Sequence, residues 1–275
     1  MSESNKRNFI VHGSILAIAG ILVRIIGMLY RIPVVNIIGS EGNGIYGAAF
    51  NIYNIMLVLS SYGLPMAVSK LVSARFTKRR YKSAAKVLRC SLMVAVCTGG
   101  IAAFLVFFGA SFIENVIYGG GLPGLAIPLR ILAPTIFLVA ILGVIRGFFQ
   151  GQSTMIPTAV SQILEQIVNA IVSIAAGYGM MKAFASSPDV AAYGAAGSTL
   201  GTAMGALTAV LFMGFLYAVY TPTFNRLKRK DRHTENQSTG QICKIIIYTM
   251  IPIILGQTFY QISALIDDVM FSNIM

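Results

Sequence analysis

Two arginines lie deep inside the first apolar segment of this sequence, where a charge needs water, a ligand or a counter-charge. Arg24 and Arg31 are seven residues apart in the stretch that begins at Phe9, so they share nearly the same face of a helix. At 1.5 Å per residue, Arg24 lies roughly 22 Å into that helix. Burying an arginine there costs about 2.5 kcal/mol or more. We predict that both face a polar cavity that holds an anion; snorkelling to headgroups is the alternative.

A stripe of polar residues around Glu165 forms a second candidate. Glu165 lies about ten residues into another apolar segment, or roughly 15 Å deep. A carboxylate at that depth indicates function, as the partner of an arginine, a cation ligand or a proton carrier. The alternative for the stripe is a polar contact that joins helices. Its members recur at intervals of three and four residues: Ser161, Gln162, Glu165, Gln166, Asn169 and Ser173.

The candidate substrate-binding residues come from these two segments and from the second apolar segment of the sequence. Asn51 belongs to the second apolar segment, which also carries several tyrosines; packing is the alternative there. The full set is Arg24, Arg31, Glu165, Asn169, Gln162 and Asn51. Motifs typical of metalloproteases, P-loop nucleotide binding and zinc or redox cysteine pairs are absent from the sequence: it contains no HExxH, no GxxxxGK[ST] and no CxxC. We therefore predict no enzyme activity, no metal and no cofactor.

The elements that carry these residues are membrane helices. Hydrophobic residues make up 56% of the chain and charged residues 11%, which is too little charge to cover a soluble domain of 275 residues. A helix needs about 20 apolar residues to cross a bilayer. The sequence predicts an all-α, polytopic membrane helical bundle with seven spans: Phe9–Ile38, Ile45–Val72, Ala84–Ile113, Leu125–Phe149, Met155–Phe184, Tyr193–Tyr220 and Ile242–Phe271.

The basic residues set the predicted orientation. Seventeen Lys and Arg fall before the first span, between the second and third, at the end of the fourth (Arg146) and between the sixth and seventh; Lys182 alone falls in the alternate connections. Because Lys and Arg collect on the cytoplasmic side, we predict a cytoplasmic N-terminus in a multi-pass protein of the bacterial cell membrane. The net charge of +12 has the same origin, so we predict membrane lipids as partners and no nucleic acid. In the sixth span, Gly197, Gly201 and Gly205 predict close helix packing.

Several stretches resemble a known family. LVRIIGMLYRIPVVNIIGSEGNGIYGAAFNIYNI, SSYGLPMAVSKLVS and above all RGFFQGQSTMIPTAVSQILEQIVN are similar to the stage V sporulation protein B and MurJ-type lipid II flippases. These are polysaccharide biosynthesis proteins of the multidrug/oligosaccharidyl-lipid/polysaccharide exporter superfamily. The resemblance covers essentially the whole chain. The stretch Arg146–Asn169, with the pattern RGxFQG…P…SQxxEQ, is its most specific part.

The resemblance implies a flippase for undecaprenyl-pyrophosphate-linked glycan such as lipid II. Its headgroup would move to the outer leaflet by alternating access, for peptidoglycan, spore cortex or polysaccharide synthesis. In that family, two arginines of the first helix contact the pyrophosphate in a central cavity, and Arg24 and Arg31 occupy the matching stretch. Some relatives also carry an acidic residue early in the second helix and an arginine later in it; Gly44 and Leu57 stand there in this sequence.

The resemblance also implies a second lobe. We predict a six-helix N-terminal lobe over residues 1–220, a cytoplasmic linker over 221–241, and a seventh helix over 242–275 that begins a second lobe. One lobe forms half of a cavity, so the expected partner is a second lobe or another copy of the chain. Two alternatives remain open: a cation-coupled multidrug exporter of the same superfamily, and a non-transporting fragment or assembly partner.

Overall fold

Seven α-helices form the described part of the chain in the computed structural model. It describes the backbone of residues 3–232 and 238–274, and the side chains of residues 14–232, 238–258 and 270. Residues 233–237 of the predicted linker and the C-terminal Met275 lie outside the described residues. The helices are α1 (Glu3–Ser60), α2 (Leu64–Thr77), α3 (Tyr81–Phe112), α4 (Ala126–Gly151), α5 (Ile156–Ala183), α6 (Val190–Lys230) and α7 (Thr239–Ile274), with a π-helical turn at Ile113–Ile117.

Six apolar helical stretches are long enough to cross a membrane, counted over the described residues. The first runs from Ser14 to Thr77 across the break between α1 and α2, and it contains most of the first predicted span and all of the second. Its 64 residues would extend roughly 96 Å as one straight helix, about three times the hydrocarbon thickness. The predicted all-α bundle of membrane helices is confirmed, with the first stretch divided inside α1.

That division lies at Gly39. Its backbone angles, φ 71° and ψ −176°, belong to a region that is essentially restricted to glycine. The prediction of a loop over Gly39–Gly44 was wrong, because residues 40–44 are helical and Gly39 alone leaves the helix. Tyr46, beyond the kink, lies close to Tyr30, before it, so the two halves of α1 approach each other.

Two further bounds differ from the sequence prediction. The predicted span Ile45–Val72 is interrupted after Ser60, and α2 begins at Leu64 with Pro65 in its first turn. Helix α6 continues to Lys230, ten residues into the predicted linker. Buried aromatic packing explains the longer helix, because the Phe224 ring lies 5.3 Å from Phe148 and 6.1 Å from Phe76. A search of the sequence for apolar segments ends each predicted helix where the apolar residues end. It therefore misses a helical extension that continues beyond the apolar segment and still packs on its neighbours.

The basic segments gather at one end of the bundle. The Asp231 carboxylate, just after α6, accepts a hydrogen bond of 2.9 Å from the backbone N–H of Lys82 in the first turn of α3. Cys90 of α3 contacts the backbone of Thr239, where α7 begins. At the opposite end, a Cβ on Gly42 would approach the Ala191 oxygen to 3.2 Å, and Gly124 packs on Ala192. Connections rich in Lys and Arg thus lie at one end of the bundle and connections poor in them at the other, as the orientation prediction requires. Which side of the membrane each end faces stays a prediction.

Helices α5 and α6 pack backbone to backbone along the three glycines of α6. A Cβ on Gly201 would lie 2.6 Å from the Asn169 oxygen, and one on Gly205 would lie 2.6 Å from the Glu165 oxygen. Gly197 stands equally close to the backbone of Ala176. The prediction of close packing is confirmed, and it fixes the depth of the polar residues of α5 against α6.

The kink gives a testable prediction for stability. Gly39→Ala should lower the thermal midpoint in detergent micelles, because alanine in this backbone region costs about 1–3 kcal/mol. No neighbouring atom lies within 4 Å of the added Cβ, so the loss would come from the backbone and not from a steric clash. Gly44→Ala is the matched control: it also has open space, but its backbone is helical, so alanine should be neutral or stabilising. Equal losses in the two variants would contradict the assignment.

Candidate functional site

An ion pair joins α4 to α5 in the interior of the bundle. A terminal guanidinium nitrogen of Arg146 lies 2.7 Å from Oε2 of Glu165, and its Nε donates a hydrogen bond of 2.9 Å to Ser161 Oγ. The two charged side chains are 14% and 26% exposed. Both charges sit in a poorly hydrated region, where an unpaired charge is costly. Each side chain therefore stabilises the other by supplying the opposite charge. Glu165 is therefore neutralised from α4.

This partner corrects the sequence interpretation. An arginine partner was one of the alternatives for Glu165, and the structure supplies it as Arg146, which we used only as an orientation signal at the end of the fourth span. Arg146 lies inside α4, five residues before it ends. The sequence did contain a signal for the pair: only four residues separate α4 from α5, so the two helices form an antiparallel hairpin that sets Arg146 opposite Ser161.

Small residues allow the helices around the ion pair to approach. A Cβ on Gly147 would lie 2.6 Å from the Pro65 oxygen, and one on Gly151 would lie 2.8 Å from the Ser69 oxygen. These contacts hold α4 against α2. With the α5–α6 contact at Gly205, they account for the spacing of glycine, arginine and glutamate in the stretch Arg146–Asn169.

The part of the polar stripe that follows Glu165, at Asn169 and Ser173, joins three helices. Asn169 is 8% exposed and donates a hydrogen bond of 3.3 Å to the Tyr30 hydroxyl of α1. Its oxygen accepts bonds from Ser173 at 2.9 Å and from Thr202 of α6 at 3.5 Å. The Ser173 hydroxyl also lies 2.8 Å from the Ser198 carbonyl oxygen, so its one proton is shared between two acceptors. In this part the helix-joining interpretation is confirmed, and a contact between Asn169 and substrate stays a prediction.

Arg24 and Arg31 both lie exposed on the N-terminal half of α1. Gly27, between them, packs on α5, where its Cβ would lie 3.1 Å from the Gln166 amide. The sequence offset from Gly27 to Gln166 equals that of the Tyr30–Asn169 bond, 139 residues, so α1 and α5 run in parallel at constant register. Arg24 therefore shares its depth with Gln162 and lies within one turn of Glu165.

The second half of α1 completes this side of the bundle. Tyr46 lies close to Tyr30 and within electrostatic range of Arg31. Tyr53, which is buried, lies within electrostatic range of Glu165. Asn51 and Gln162 are both partly exposed. The structure thus brings Arg24, Arg31, Gln162 and Glu165 onto neighbouring parts of α1 and α5, with Glu165 already paired, whereas Asn51 lies roughly 140–160° around its helix from Tyr46 and Tyr53.

The two arginines stand at the edge of a broad apolar face. Ile21 is 60% exposed, Met28 70% and Ile32 64%, on the same half of α1. A guanidinium on such a face needs water or an anion within the membrane. Among the described residues, no group of three metal-ligating side chains occurs. The chemistry that this face offers is therefore anion binding, since guanidinium groups match phosphate geometry through paired hydrogen bonds.

Comparison with known sequences gives one family and several relatives. Residues 10–275 match the family described as polysaccharide biosynthesis protein. The chain is 35% identical to the lipid II flippase MurJ of Bacillus subtilis over 62% of its length, and 30% identical to the stage V sporulation protein B of the same organism over 76%. The matched regions cover only 32% and 39% of those relatives, so the chain corresponds to less than half of each.

Solved structures share the fold. A crystal structure of a MATE protein in its straight conformation matches 92% of this chain with a TM-score of 0.72 at 17% identity. A MOP superfamily transporter from Pyrococcus furiosus matches 89% with a TM-score of 0.68 at 18% identity. In both cases the match covers about half of the solved chain, 53% and 52%. At these identities the likeness concerns the arrangement of helices.

The ion pair predicts a strong coupling between α4 and α5. Arg146→Met should destabilise the protein by about 3–5 kcal/mol, toward the lower end because Glu165 keeps some exposure, since the carboxylate is left unpaired. The double variant Arg146→Met/Glu165→Met should be more stable than Arg146→Met alone. Unfolding in mixed micelles with increasing dodecyl sulfate measures this. Arg130→Met, which removes an exposed arginine bonded to Ser111, is the control; additive losses in the double variant would contradict the pairing.

Proposed function

Because the chain belongs to the polysaccharide biosynthesis protein family, we propose that it forms the N-terminal lobe of a flippase for lipid-linked glycan. The substrate class is a glycan joined through pyrophosphate to a polyprenyl lipid, such as lipid II. The similarity to MurJ and to stage V sporulation protein B supports this class. The polymer supplied would be peptidoglycan, spore cortex or another polysaccharide.

The observation that carries the proposal is the position of Arg24 and Arg31. Both stand exposed on a membrane-spanning face that is otherwise apolar. A pyrophosphate carries several oxygens that accept paired hydrogen bonds from guanidinium groups, and these bonds strengthen where water is scarce. The lipid tail would remain in the bilayer while the headgroup crosses beside α1.

Neighbouring amides extend the proposed site toward the sugar. Gln162 shares the depth of Arg24, and Asn51 lies on the second half of α1; both are partly exposed and offer donors and acceptors for hydroxyl groups. Asn169 and Glu165 would act indirectly, through the side chains that they hold in place. Asn169 positions Tyr30, and Glu165 holds Arg146.

The state of Glu165 argues against the cation exporter. A carboxylate that binds a cationic drug or a coupling ion needs its charge available, whereas Glu165 is bonded to Arg146 at 2.7 Å. Arg24 and Arg31 are exposed cations on this side of the bundle. An anionic headgroup complements such a surface better than a cation does.

The orientation and the second lobe belong to the same proposal. The basic end of the bundle would face the cytoplasm, where lipid-linked precursors are assembled, in keeping with the bias of Lys and Arg. A second lobe, or another copy of the chain, would face the apolar side of α1 and enclose the arginines. Rocking of the two halves would then expose the site to each side in turn.

Arg24→Glu in the intact protein tests the proposal. Headgroup exposure on the outer leaflet, measured in cells or proteoliposomes with a membrane-impermeant enzyme that cleaves the glycan-lipid, should fall by about tenfold or more, because a charge-assisted contact is replaced by repulsion. Arg24→Lys should retain part of the activity.

Arg130→Gln is the matched control. It removes an exposed arginine near the start of α4, at the opposite end of that helix from Arg146. Transport should therefore continue at the normal rate. Undiminished transport by Arg24→Glu, in protein that is correctly inserted and present in normal amount, would refute the cationic site.

A further inference from the structure

Two cysteines lie against each other where α7 begins. The Cys90 sulfur of α3 lies 3.8 Å from the backbone oxygen of Thr239, the first residue of α7. In an α-helix that oxygen accepts the backbone N–H of the residue four positions later, which is Cys243. Cys243 therefore stands one turn beyond the atom that Cys90 contacts, and its thiol lies close to the Cys90 thiol.

The packing around the two thiols holds them in place. Ile242 and Ile246, one residue before and three residues after Cys243, are fully buried against the helices that precede α7. Cys90 is fully buried in the same cluster of apolar side chains, and Cys243 packs at its edge. The start of α7 is thus fixed in register on α3, so the two sulfur atoms meet through the packing of their helices.

The two thiols differ in access to water. Cys90 is buried, whereas Cys243 is partly exposed. Both stand at the basic end of the bundle, roughly 14 Å from the start of α3 and roughly 6 Å from the start of α7. A water-soluble thiol reagent therefore reaches Cys243 before it reaches Cys90.

Cys97 provides a reference thiol in the same helix. It follows Cys90 by seven residues, so it lies on nearly the same face of α3 and roughly 10 Å further along it. Its neighbours on the surface include the exposed side chains of Val96 and Ile101, which belong to the apolar surface of the span. Cys97 is itself exposed on that surface, away from the start of α7.

We propose that Cys90 and Cys243 form a redox-sensitive pair whose oxidation fixes the start of α7 to α3. The oxidant is a small disulfide. The Cys243 sulfur attacks one of its sulfur atoms and releases one small thiol, which leaves Cys243 in a mixed disulfide. The Cys90 sulfur then attacks the Cys243 sulfur and releases the second small thiol. Two protein thiols are oxidised, one small disulfide is reduced, and the two cysteine protons pass to the released thiols.

The consequence of this bond for transport rests on the proposed function. There, α7 begins the second lobe, and rocking of the two lobes requires the contact between α3 and α7 to change. A covalent bond at this contact therefore opposes transport. Because the cytoplasm keeps thiols reduced, the bond is absent in normal growth at a cytoplasmic basic end and forms when small disulfides accumulate.

Thiol counting in the intact protein tests the pair. Purified protein is treated with oxidised glutathione, denatured, and labelled with a maleimide polymer that shifts the protein on a gel once for each free thiol. Reduced protein should carry three labels for Cys90, Cys97 and Cys243, and oxidised protein only the label on Cys97. The intact mass should show no added glutathione, and dithiothreitol should restore all three labels.

Two variants locate the bond. Cys90→Ser should retain one glutathione on Cys243, because the second attack is removed. The matched control is Cys243→Ser/Lys244→Cys, which moves the thiol about 100° around α7 to an exposed position, so it should form no bond to Cys90. Wild-type protein that keeps all three thiols free, or equal bond formation in the control, would overturn the pair.

Transport separates the lock from the proposed function. In proteoliposomes, oxidised glutathione should lower headgroup exposure in proportion to the fraction of cross-linked protein, dithiothreitol should restore it, and Cys243→Ser should be insensitive to both. Unchanged transport by fully cross-linked protein would refute the lock and leave the proposed function intact. The thiol count uses no transport, so a failure of the proposed function would leave that count unchanged.

Discussion

A charge inside a bilayer must meet an opposite charge, a polar ligand or water, and this constraint organises the functional side of the molecule. Arg146 and Glu165 satisfy each other at 2.7 Å between α4 and α5. Arg24 lies at similar depth on α1 and Arg31 roughly 10 Å further along it, and both stand exposed on an apolar face. The first pair is thus a structural contact between two helices, and we propose that the second pair binds the ligand.

The ion pair depends in turn on how closely the helices approach. Gly205 lets the backbone of α6 touch that of α5 at Glu165, and Gly147 lets α4 touch α2 beside Arg146. Tyr30 and Asn169 then lock α1 to α5 in a fixed register. Packing of small residues therefore sets the depth at which every polar group of this side is held, and a shift of one turn would move Arg24 away from Gln162.

Periodicity and composition predicted the helices α3, α4 and α5 to within three residues at each end, because a bilayer imposes a length of apolar sequence. The close packing of α6 followed from the spacing of Gly197, Gly201 and Gly205, although the spacing did not identify α5 as the partner. Contacts between helices were harder. The partner of Glu165 was missed because Arg146, near the end of a span, was taken for an orientation signal. The kink at Gly39 was missed because one residue in a glycine-only conformation replaces a whole loop.

The central claim is that Arg24 faces a water-filled space that accepts an anion. Cysteine accessibility in native membranes tests it most directly, with the intact protein freed of Cys90, Cys97 and Cys243. Position 24 is compared with Leu29, which is 62% exposed and lies about 140° around the same helix. A charged, membrane-impermeant thiol reagent should modify Arg24→Cys, more slowly when pyrophosphate is present, and should leave Leu29→Cys unmodified. An unreactive cysteine at position 24, or equal reaction at both positions, would contradict the account.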